Sequence, residues 1–139
     1  IILYPGYCNT HHRLTQKHVI RAKQEHPDGV VLVHPECTAE VIAHADAALS
    51  TSQMAQYVQE SSAKTFLIGT EEGLVYRLQK DNPAKTFYVI SKSLICPDMK
   101  KTTLNKLAQT MELRRNVVVV PEEIRLGAKR ALDRMLAIA

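Results

Sequence analysis

Short apolar runs, several of them rich in β-branched residues, alternate along this chain with segments whose apolar residues recur at helical spacing. The runs lie at about 30–33, 47–49, 64–68, 85–90 and 116–120. Runs of this length are typical of buried strands, and strands that alternate with helices favour a parallel sheet with helices on both faces. We therefore predict an α/β fold in three αβα layers around one parallel sheet.

The helical segments carry recognisable start and stop signals. They are predicted at 40–44, 54–58, 74–78, 104–107 and 124–138. Pro97 and Asp98 precede one helix, and Pro121 followed by two glutamates places proline and acids in the first turn of another. Val117 to Val120 are predicted as a buried strand that leads into this last helix. Residues 25–29 and 81–83 are predicted turns.

Length and composition bound the class of protein. A chain of 139 residues with 45% hydrophobic residues can bury a substantial core. No apolar run approaches the roughly 20 residues of a membrane span, and the first residues lack the parts of a signal peptide. We expect a cytoplasmic protein. The chain has no initiator methionine and opens inside an apparent strand, so we also expect that an upstream portion is missing.

The formal net charge of +4 raises the question of nucleic-acid binding. The basic residues are not clustered, however, because Lys100-Lys101 and Arg114-Arg115 are isolated pairs among acidic residues. Only two Phe and five Tyr are available to stack on bases. We therefore predict no nucleic-acid partner. A basic excess equally suits a pocket for small anionic substrates.

Polar side chains follow several of the predicted strands. In parallel sheets, ligands bind beyond the carboxyl ends of the strands, where loops and helix N-termini converge. The polar segments at these ends are 34–37, 50–52, 69–73 and 91–93, and a fifth, 5–12, follows the apolar opening. These segments contain the residues from which we select a candidate site.

Each of these segments has a structural and a functional interpretation. Ser50 or Thr51 would be an ordinary N-cap of the next helix, and Thr70 with Glu71 would cap the one after it. Hydroxyls and free amides at a helix start also bind carboxylates or phosphates. His34 could be a satisfied polar residue at a strand end.

Glu36 follows His34 across a rigid proline, so the two side chains could point to the same side. A carboxylate beside an imidazole can set its tautomer and tune its pKa for proton transfer. The sequence alone leaves the structural and the catalytic interpretation of this pair open.

The three cysteines have none of the CxxC spacing of a zinc ribbon. Cys37 is predicted as a buried, reduced thiol beneath the first turn of a helix. Cys8 and Cys96 lie in loops at predicted strand ends, where two distant cysteines could converge on one metal centre. Two thiolates would be an incomplete set for an iron–sulfur cluster, which takes up to four.

Six segments together resemble one known family. They are YPGYCNTHH at 4–12, VHPEC at 33–37, STSQM at 50–54, IGTEEGLVYRL at 68–78, CPDMKKTTL at 96–104 and the final EEIRLGAKRALDRML. In this order and at compatible spacing, they closely resemble quinolinate synthase, the iron–sulfur enzyme of de novo NAD biosynthesis. The resemblance covers essentially the whole chain.

The resemblance implies three similar αβα domains around a pseudo-threefold axis, each contributing one cysteine to a central [4Fe–4S] cluster. Cys8 and Cys96 match two of these ligands, whereas Cys37 matches none. The remaining thiolate would belong to the missing upstream part. One iron would then lack a protein ligand and could act as a Lewis acid. The implied organisation is residues 1–10 as the end of a preceding αβα domain, 11–96 as an αβα domain and 97–139 as a C-terminal helix-strand-helix segment.

The resemblance also implies a reaction, in which iminoaspartate condenses with dihydroxyacetone phosphate to give quinolinate, with loss of phosphate and two waters. Glu36 matches the expected general base and His34 a catalytic partner that also binds substrate. His11 matches a substrate-contacting histidine, and Ser50 and Thr51 match residues that hold a substrate carboxylate.

Other residues near the motifs receive weaker expectations or none. No role is assigned to Asn9 or Thr10, and the roles of Thr70, Glu71 and Lys100 stay open. L-aspartate oxidase is a candidate protein partner. The alternative to the enzyme is a metal-free α/β module that binds a small anion at its strand ends.

Overall fold

A computed structural model describes residues 5–138, in which four parallel strands form one sheet. The strands are β1 (Val30–Val33), β2 (Ala47–Ala48), β3 (Thr65–Gly69) and β4 (Thr86–Val89), in the order β2-β1-β3-β4. The predicted α/β fold with a parallel sheet is confirmed. The apolar opening, predicted as a strand, falls largely on residues 1–4, which lie outside the described part.

Seven helices and one 3₁₀ turn are present in the described residues. They are α1 (Asn9–His12), α2 (Gln16–Glu25), α3 (Ala39–Ile42), α4 (Thr51–Glu60), α5 (Gly73–Asp81), the 3₁₀ turn Met99–Lys101, α6 (Leu104–Leu113) and α7 (Glu122–Leu136). The acidic first turn predicted for the last helix is confirmed, with Pro121 at the N-cap. The turn predicted at 25–29 lies between α2 and β1, and the turn at 81–83 lies between α5 and β4.

Apolar side chains on both faces of the sheet form two cores, because successive residues of a strand point to opposite faces. Val31 and Val33 of β1 belong to one core with residues of α2 and α3. Leu32, between them, belongs to the other core with Met54 and Val58 of α4. The strands therefore form the middle layer of an αβα sandwich.

The order of the strands places a switch point between β1 and β3. The chain leaves β1 through α3 toward β2, and it leaves β3 through α5 toward β4 on the other side. Val41 of α3 and Leu78 of α5 pack in different cores, so the two helices cover opposite faces. In sheets with this topology, ligands bind outside the carboxyl ends of the two strands at the switch point, here β1 and β3.

Helix α2 was not among the predicted helices. Only Val19 and Ala22 are buried in its ten residues, so its apolar stripe is short and surrounded by charged residues. Its start does carry a signal, since the backbone N–H of Thr15 donates to Nδ1 of His18 at 3.2 Å. The side chain at the third helical position thus reaches back to the N-cap, as in a capping box.

The strand predicted over 116–120 is wrong. Arg114 ends α6 in the left-handed conformation with φ 48°, and Asn116 has φ 62°. Val117 to Val120 lie outside any strand and are mostly exposed, Val118 to 85%. A strand needs a neighbour for its backbone hydrogen bonds, and none of the described residues pairs with this segment.

The chain separates into two compact units, the first ending at Met99 and the second beginning at Lys100. The sheet and both cores belong to the first unit, and α6 and α7 belong to the second. The domain boundaries predicted at 10/11 and 96/97 stay a prediction. Among the described residues, no helix has both the length and the apolar character to span a membrane.

Gly69→Ala is expected to destabilise the first unit. A Cβ at this position would lie 2.7 Å from Cγ1 of Val33 and 3.1 Å from Cδ2 of Leu14, both of which are buried. Overpacking of this kind costs about 1–3 kcal/mol of unfolding free energy, which urea denaturation of the chain would measure. Gly127→Ala is the control, because nothing lies within 4 Å of a Cβ there. Equal stability of the two variants would contradict the packing at Gly69.

Candidate active site at the carboxyl edge of the sheet

Two site residues lie side by side because their strands are paired. Val33 of β1 pairs with Gly69 of β3, and the next residues along the chain are His34 and Thr70. The backbone N–H of His34 still donates to the carbonyl oxygen of Gly69, at 3.2 Å. The register of the sheet therefore brings both polar side chains to the switch point.

His11 connects the segment around α1 to this edge. Its Nε2 lies 2.9 Å from Oγ1 of Thr70, in a buried hydrogen bond. Its ring stacks on that of His34 with centroids 4.3 Å apart and planes within 5°. Its Nδ1 lies 3.2 Å from Oε2 of Glu36, and Nδ1 of His34 lies 3.5 Å from the same oxygen. The predicted residues His11, His34 and Glu36 thus form one cluster.

Burial determines the charge of His11. Its pKa is lowered, first because burial removes the ring from water and then because His34 is close, while Glu36 acts in the opposite direction. The imidazole is therefore neutral at pH 7, so one ring nitrogen carries a lone pair. Nδ1 is buried and, despite its 3.2 Å distance to Glu36, lacks the geometry of a hydrogen bond to any described residue.

A thiol completes a group of possible metal ligands. The ligand atoms of Cys8, His11 and Glu36 all lie within 4.8 Å of one another. Thiolate, imidazole and carboxylate are the protein groups that bind transition metals. Cys8 is the residue at the N-cap of α1, and His11 lies within that short helix. The local fold of this segment therefore brings the two side chains close together.

Cys96 lies in the loop after β4, and its environment favours the thiolate. The backbone N–H of Met99, the hydroxyl of Thr10 and the backbone N–H of Asp98 donate to the sulfur and lower the pKa of the thiol. Thr10 is buried and follows Cys8 by two residues, so the two cysteines belong to the same region of the first unit. No role was predicted for Thr10, because a contact between residues so far apart in sequence leaves no local signal.

Cys37 has the opposite character. Its side chain is 6% exposed, and its thiol donates to the carbonyl oxygen of Gly69 at 3.6 Å. Burial raises the pKa of this thiol to about 11. Cys37 is therefore a neutral thiol within the core between the sheet, α2 and α3.

Ser50 and Thr51 follow β2, the strand beside β1. The Ser50 hydroxyl accepts the backbone N–H of Gln53 at 3.4 Å, and Oε1 of Gln53 accepts the N–H of Ser50 at 2.9 Å. The capping interpretation is thus confirmed for Ser50, whereas Thr51 is the exposed first residue of α4. Their role in binding a substrate carboxylate stays a prediction.

The predicted capping role of Thr70 is wrong, because Glu72 is the N-cap of α5 and Thr70 bonds to His11 instead. Glu71 does contact the start of α5 as predicted, since its Oε2 accepts the backbone N–H of Gly73, the first residue of that helix, at 2.8 Å. Lys100 belongs to the second unit.

The fold and these side chains define a class of protein. It is a parallel αβα sandwich whose switch point carries thiol, imidazole and carboxylate groups suited to a metal centre. Metal-dependent α/β enzymes place their reactive groups at this edge of the sheet.

The chain belongs to the quinolinate synthetase A family, whose profile matches residues 1–137. It is 49% identical over 138 residues to a quinolinate synthase from Thermodesulfovibrio yellowstonii, covering 99% of this chain and 46% of the relative. It is 51% identical over 135 residues to the quinolinate synthase of Geotalea uraniireducens, covering 97% and 44%. Quinolinate synthase 1 of Methanosarcina acetivorans is 46% identical over 138 residues, covering 99% and 45%. The predicted family is confirmed, and the chain spans less than half the length of these relatives.

The opposite environments of two cysteines predict different reactivity. At about pH 8, iodoacetamide should alkylate Cys96 at least about 10-fold faster than Cys37, because thiolate is the nucleophile and only Cys96 has a lowered pKa. Peptide mass spectrometry over time measures both rates. In the urea-unfolded chain the two rates should converge. Equal rates in the folded chain would contradict the assigned environments.

Proposed function

We propose that this chain is the C-terminal portion of a quinolinate synthase. The enzyme condenses iminoaspartate with dihydroxyacetone phosphate to quinolinate, releasing phosphate and two waters. The observation that carries the proposal is the convergence of Cys8, His11 and Glu36 at the switch point of a chain from this family. Because the chain spans under half of its relatives, we expect it to be inactive alone.

The donor set suits a [4Fe–4S] cluster. Cys96 is predisposed to be a thiolate by the hydrogen bonds to its sulfur, and Cys8 offers a second sulfur beside the unsatisfied Nδ1 of His11. Iron–sulfur clusters are held by cysteine thiolates, so Cys8 and Cys96 would be two ligands and the rest of the enzyme would supply a third. When bound, a cluster with one iron free of protein ligands supplies Lewis-acid chemistry for the loss of water.

Glu36 is the proposed general base. Its side chain is 55% exposed, so a substrate can reach it, and its Oε2 lies near both histidines. It would accept a proton from a substrate carbon or nitrogen during condensation. A positioned carboxylate that removes a proton in the transition state is worth about 10²–10⁴ in rate.

The two histidines are proposed to bind substrate oxygens. The backbone N–H of Glu36 donates to Nδ1 of His34 at 3.2 Å, so a neutral His34 carries its proton on Nε2. That N–H would donate to a substrate oxygen. His11, held by Thr70 and stacked on His34, would orient the same substrate and keep the His34 ring in place.

Ser50 and Thr51 are proposed to hold a substrate carboxylate. They stand at the start of α4, a ten-residue helix that follows the carboxyl end of β2. A helix N-terminus attracts anions through these N–H groups and through the helix dipole. The Ser50 hydroxyl can cap the helix and contact substrate, because an oxygen has more than one hydrogen-bonding site.

The family assignment also supports proposals about the cellular location and the protein partner of the enzyme. We place the enzyme in the cytoplasm, where thiols such as the three cysteines of this chain stay reduced. L-aspartate oxidase is the proposed protein partner. The competing function is a metal-free α/β module that binds a small anion, and the cluster measurement below separates the two.

Substitution of either proposed ligand should abolish cluster binding. In the full-length parent protein prepared without oxygen, Cys8→Ala and Cys96→Ala are expected to lose iron, sulfide and the visible absorption of the cluster. Cys37→Ala should retain all three, because the thiol is buried and neutral. Loss of the cluster in Cys37→Ala alone would overturn the ligand assignment. No cluster in the unsubstituted parent would instead favour the anion-binding module.

Glu36→Gln should retain the cluster and lose turnover. The carboxamide keeps the size of the side chain but cannot accept the proton, so kcat should fall by about 10²–10⁴-fold. Quinolinate formation and iron content are the two measurements. Glu25→Gln is the control, because Glu25 ends α2 just before β1 begins, at the opposite edge of the sheet. Unchanged kcat in Glu36→Gln would remove Glu36 as the base.

A further inference from the structure

Glu71 is a buried carboxylate in the first unit, and its contact with the start of α5 accounts for only one of its two oxygens. Only 8% of its surface is exposed, and a charge in such a position is costly unless hydrogen bonds stabilise it. Its Oε2 accepts the backbone N–H of Gly73 at 2.8 Å, and its Oε1 accepts the backbone N–H of Cys96 at 3.4 Å. The carboxylate therefore joins the start of α5 to the residue that carries a proposed cluster ligand.

A backbone hydrogen bond strengthens the same connection. The N–H of Glu72 donates to the carbonyl oxygen of Leu94 at 2.9 Å, and the side chain of Leu94 is fully buried. The Cys96 loop, residues 91–98, is thus attached to the start of α5 at two places, Leu94 and Cys96. The contact at Cys96 is made by the side chain of Glu71.

The residue before Glu71 makes the corresponding contact on the other side of the site. Thr70 bonds to His11, which lies three residues after Cys8. The segment 70–72 follows β3, which is paired with a strand on each side, so its position is well defined. One short segment therefore contacts the surroundings of both proposed thiolate ligands.

We propose that Glu71 is a positioning residue that holds the Cys96 loop against α5, so that the Cys96 sulfur stays in reach of the cluster. The proposal rests on the proposed function, since it concerns a ligand of the same site. The role requires two acceptor oxygens, one for each backbone N–H. Glutamine offers only one, because its NH₂ group cannot accept a hydrogen bond.

The test uses the full-length parent protein reconstituted with iron and sulfide under anaerobic conditions. In Glu71→Gln, the amide of Cys96 should exchange its hydrogen about 10-fold faster than in the unsubstituted protein. A chelator should remove iron about 10-fold faster, because groups that orient metal ligands typically contribute 10–100-fold to metal retention. Hydrogen exchange with mass spectrometry and absorbance during chelation measure the two rates.

Two controls separate positioning from general effects. Glu40→Gln removes the same charge from the first turn of α3, where Glu40 is exposed, and should match the unsubstituted protein. Val58→Ala removes buried methyl groups of α4 in the core that does not contain the Cys96 loop. Val58→Ala should lower the thermal midpoint without faster exchange specifically at the Cys96 amide. If Glu71 only stabilised the fold, Glu71→Gln would behave in the same way. Faster exchange specifically at Cys96 in Glu71→Gln therefore indicates positioning.

Unchanged exchange at Cys96 and unchanged iron loss in Glu71→Gln would overturn the proposal. If Glu71→Gln does not fold, Glu71→Asp replaces it. The unsubstituted protein gives a further test: if its Cys96 amide already exchanges at the rate of an unprotected amide, the proposal is overturned. If the parent binds no cluster, the proposed function fails, and the exchange rate alone decides whether Glu71 holds the loop.

Discussion

Val33 of β1 is paired with Gly69 of β3, and apolar side chains cover both faces of these strands. A slip by one residue would move every side chain of β1 to the other face, so burial on both sides specifies this register strongly. The same register places His34 and Thr70 next to each other. A residue larger than glycine at 69 would press on Val33, so the pairing also requires a minimal side chain at this position.

Hydrogen bonding then selects which side chains can occupy this edge. A buried ring nitrogen without a partner costs about 1–3 kcal/mol, and Thr70 removes this cost for Nε2 of His11. The other nitrogen, Nδ1, stays buried without a hydrogen bond to the described residues. Such an unsatisfied group is typical of a functional site, where a substrate or a metal provides the missing partner.

The three cysteines show how one residue type acquires different chemistry. Burial raises the pKa of Cys37, whereas hydrogen bonds from backbone N–H groups and a hydroxyl lower that of Cys96. Cys8 lies with an imidazole and a carboxylate within 4.8 Å. Neighbours in sequence supply part of each environment, such as the backbone N–H groups of Met99 and Asp98 at Cys96, and the fold adds the burial of Cys37 and the hydroxyl of Thr10 at Cys96.

Periodicity and motifs predicted much of this protein. Short β-branched runs between helical segments indicated the parallel sheet, and the ordered motifs indicated the family before any contact was known. Some predictions about local structure failed. The run Val117 to Val120 is not a strand among the described residues, because β-branched composition describes a preference and a strand also needs a neighbour. Helix α2 was missed because its buried stripe is only two residues long.

The sequence by itself determined the α/β class, the family and the residue types available for chemistry, because these depend on order and spacing along the chain. Only the tertiary structure decided that Thr70 bonds to His11, that Thr10 donates to the Cys96 sulfur and that Glu71 accepts the Cys96 amide. These contacts join segments that are distant in sequence. Their geometry depends on strand order and register, which the packing of the whole sheet determines.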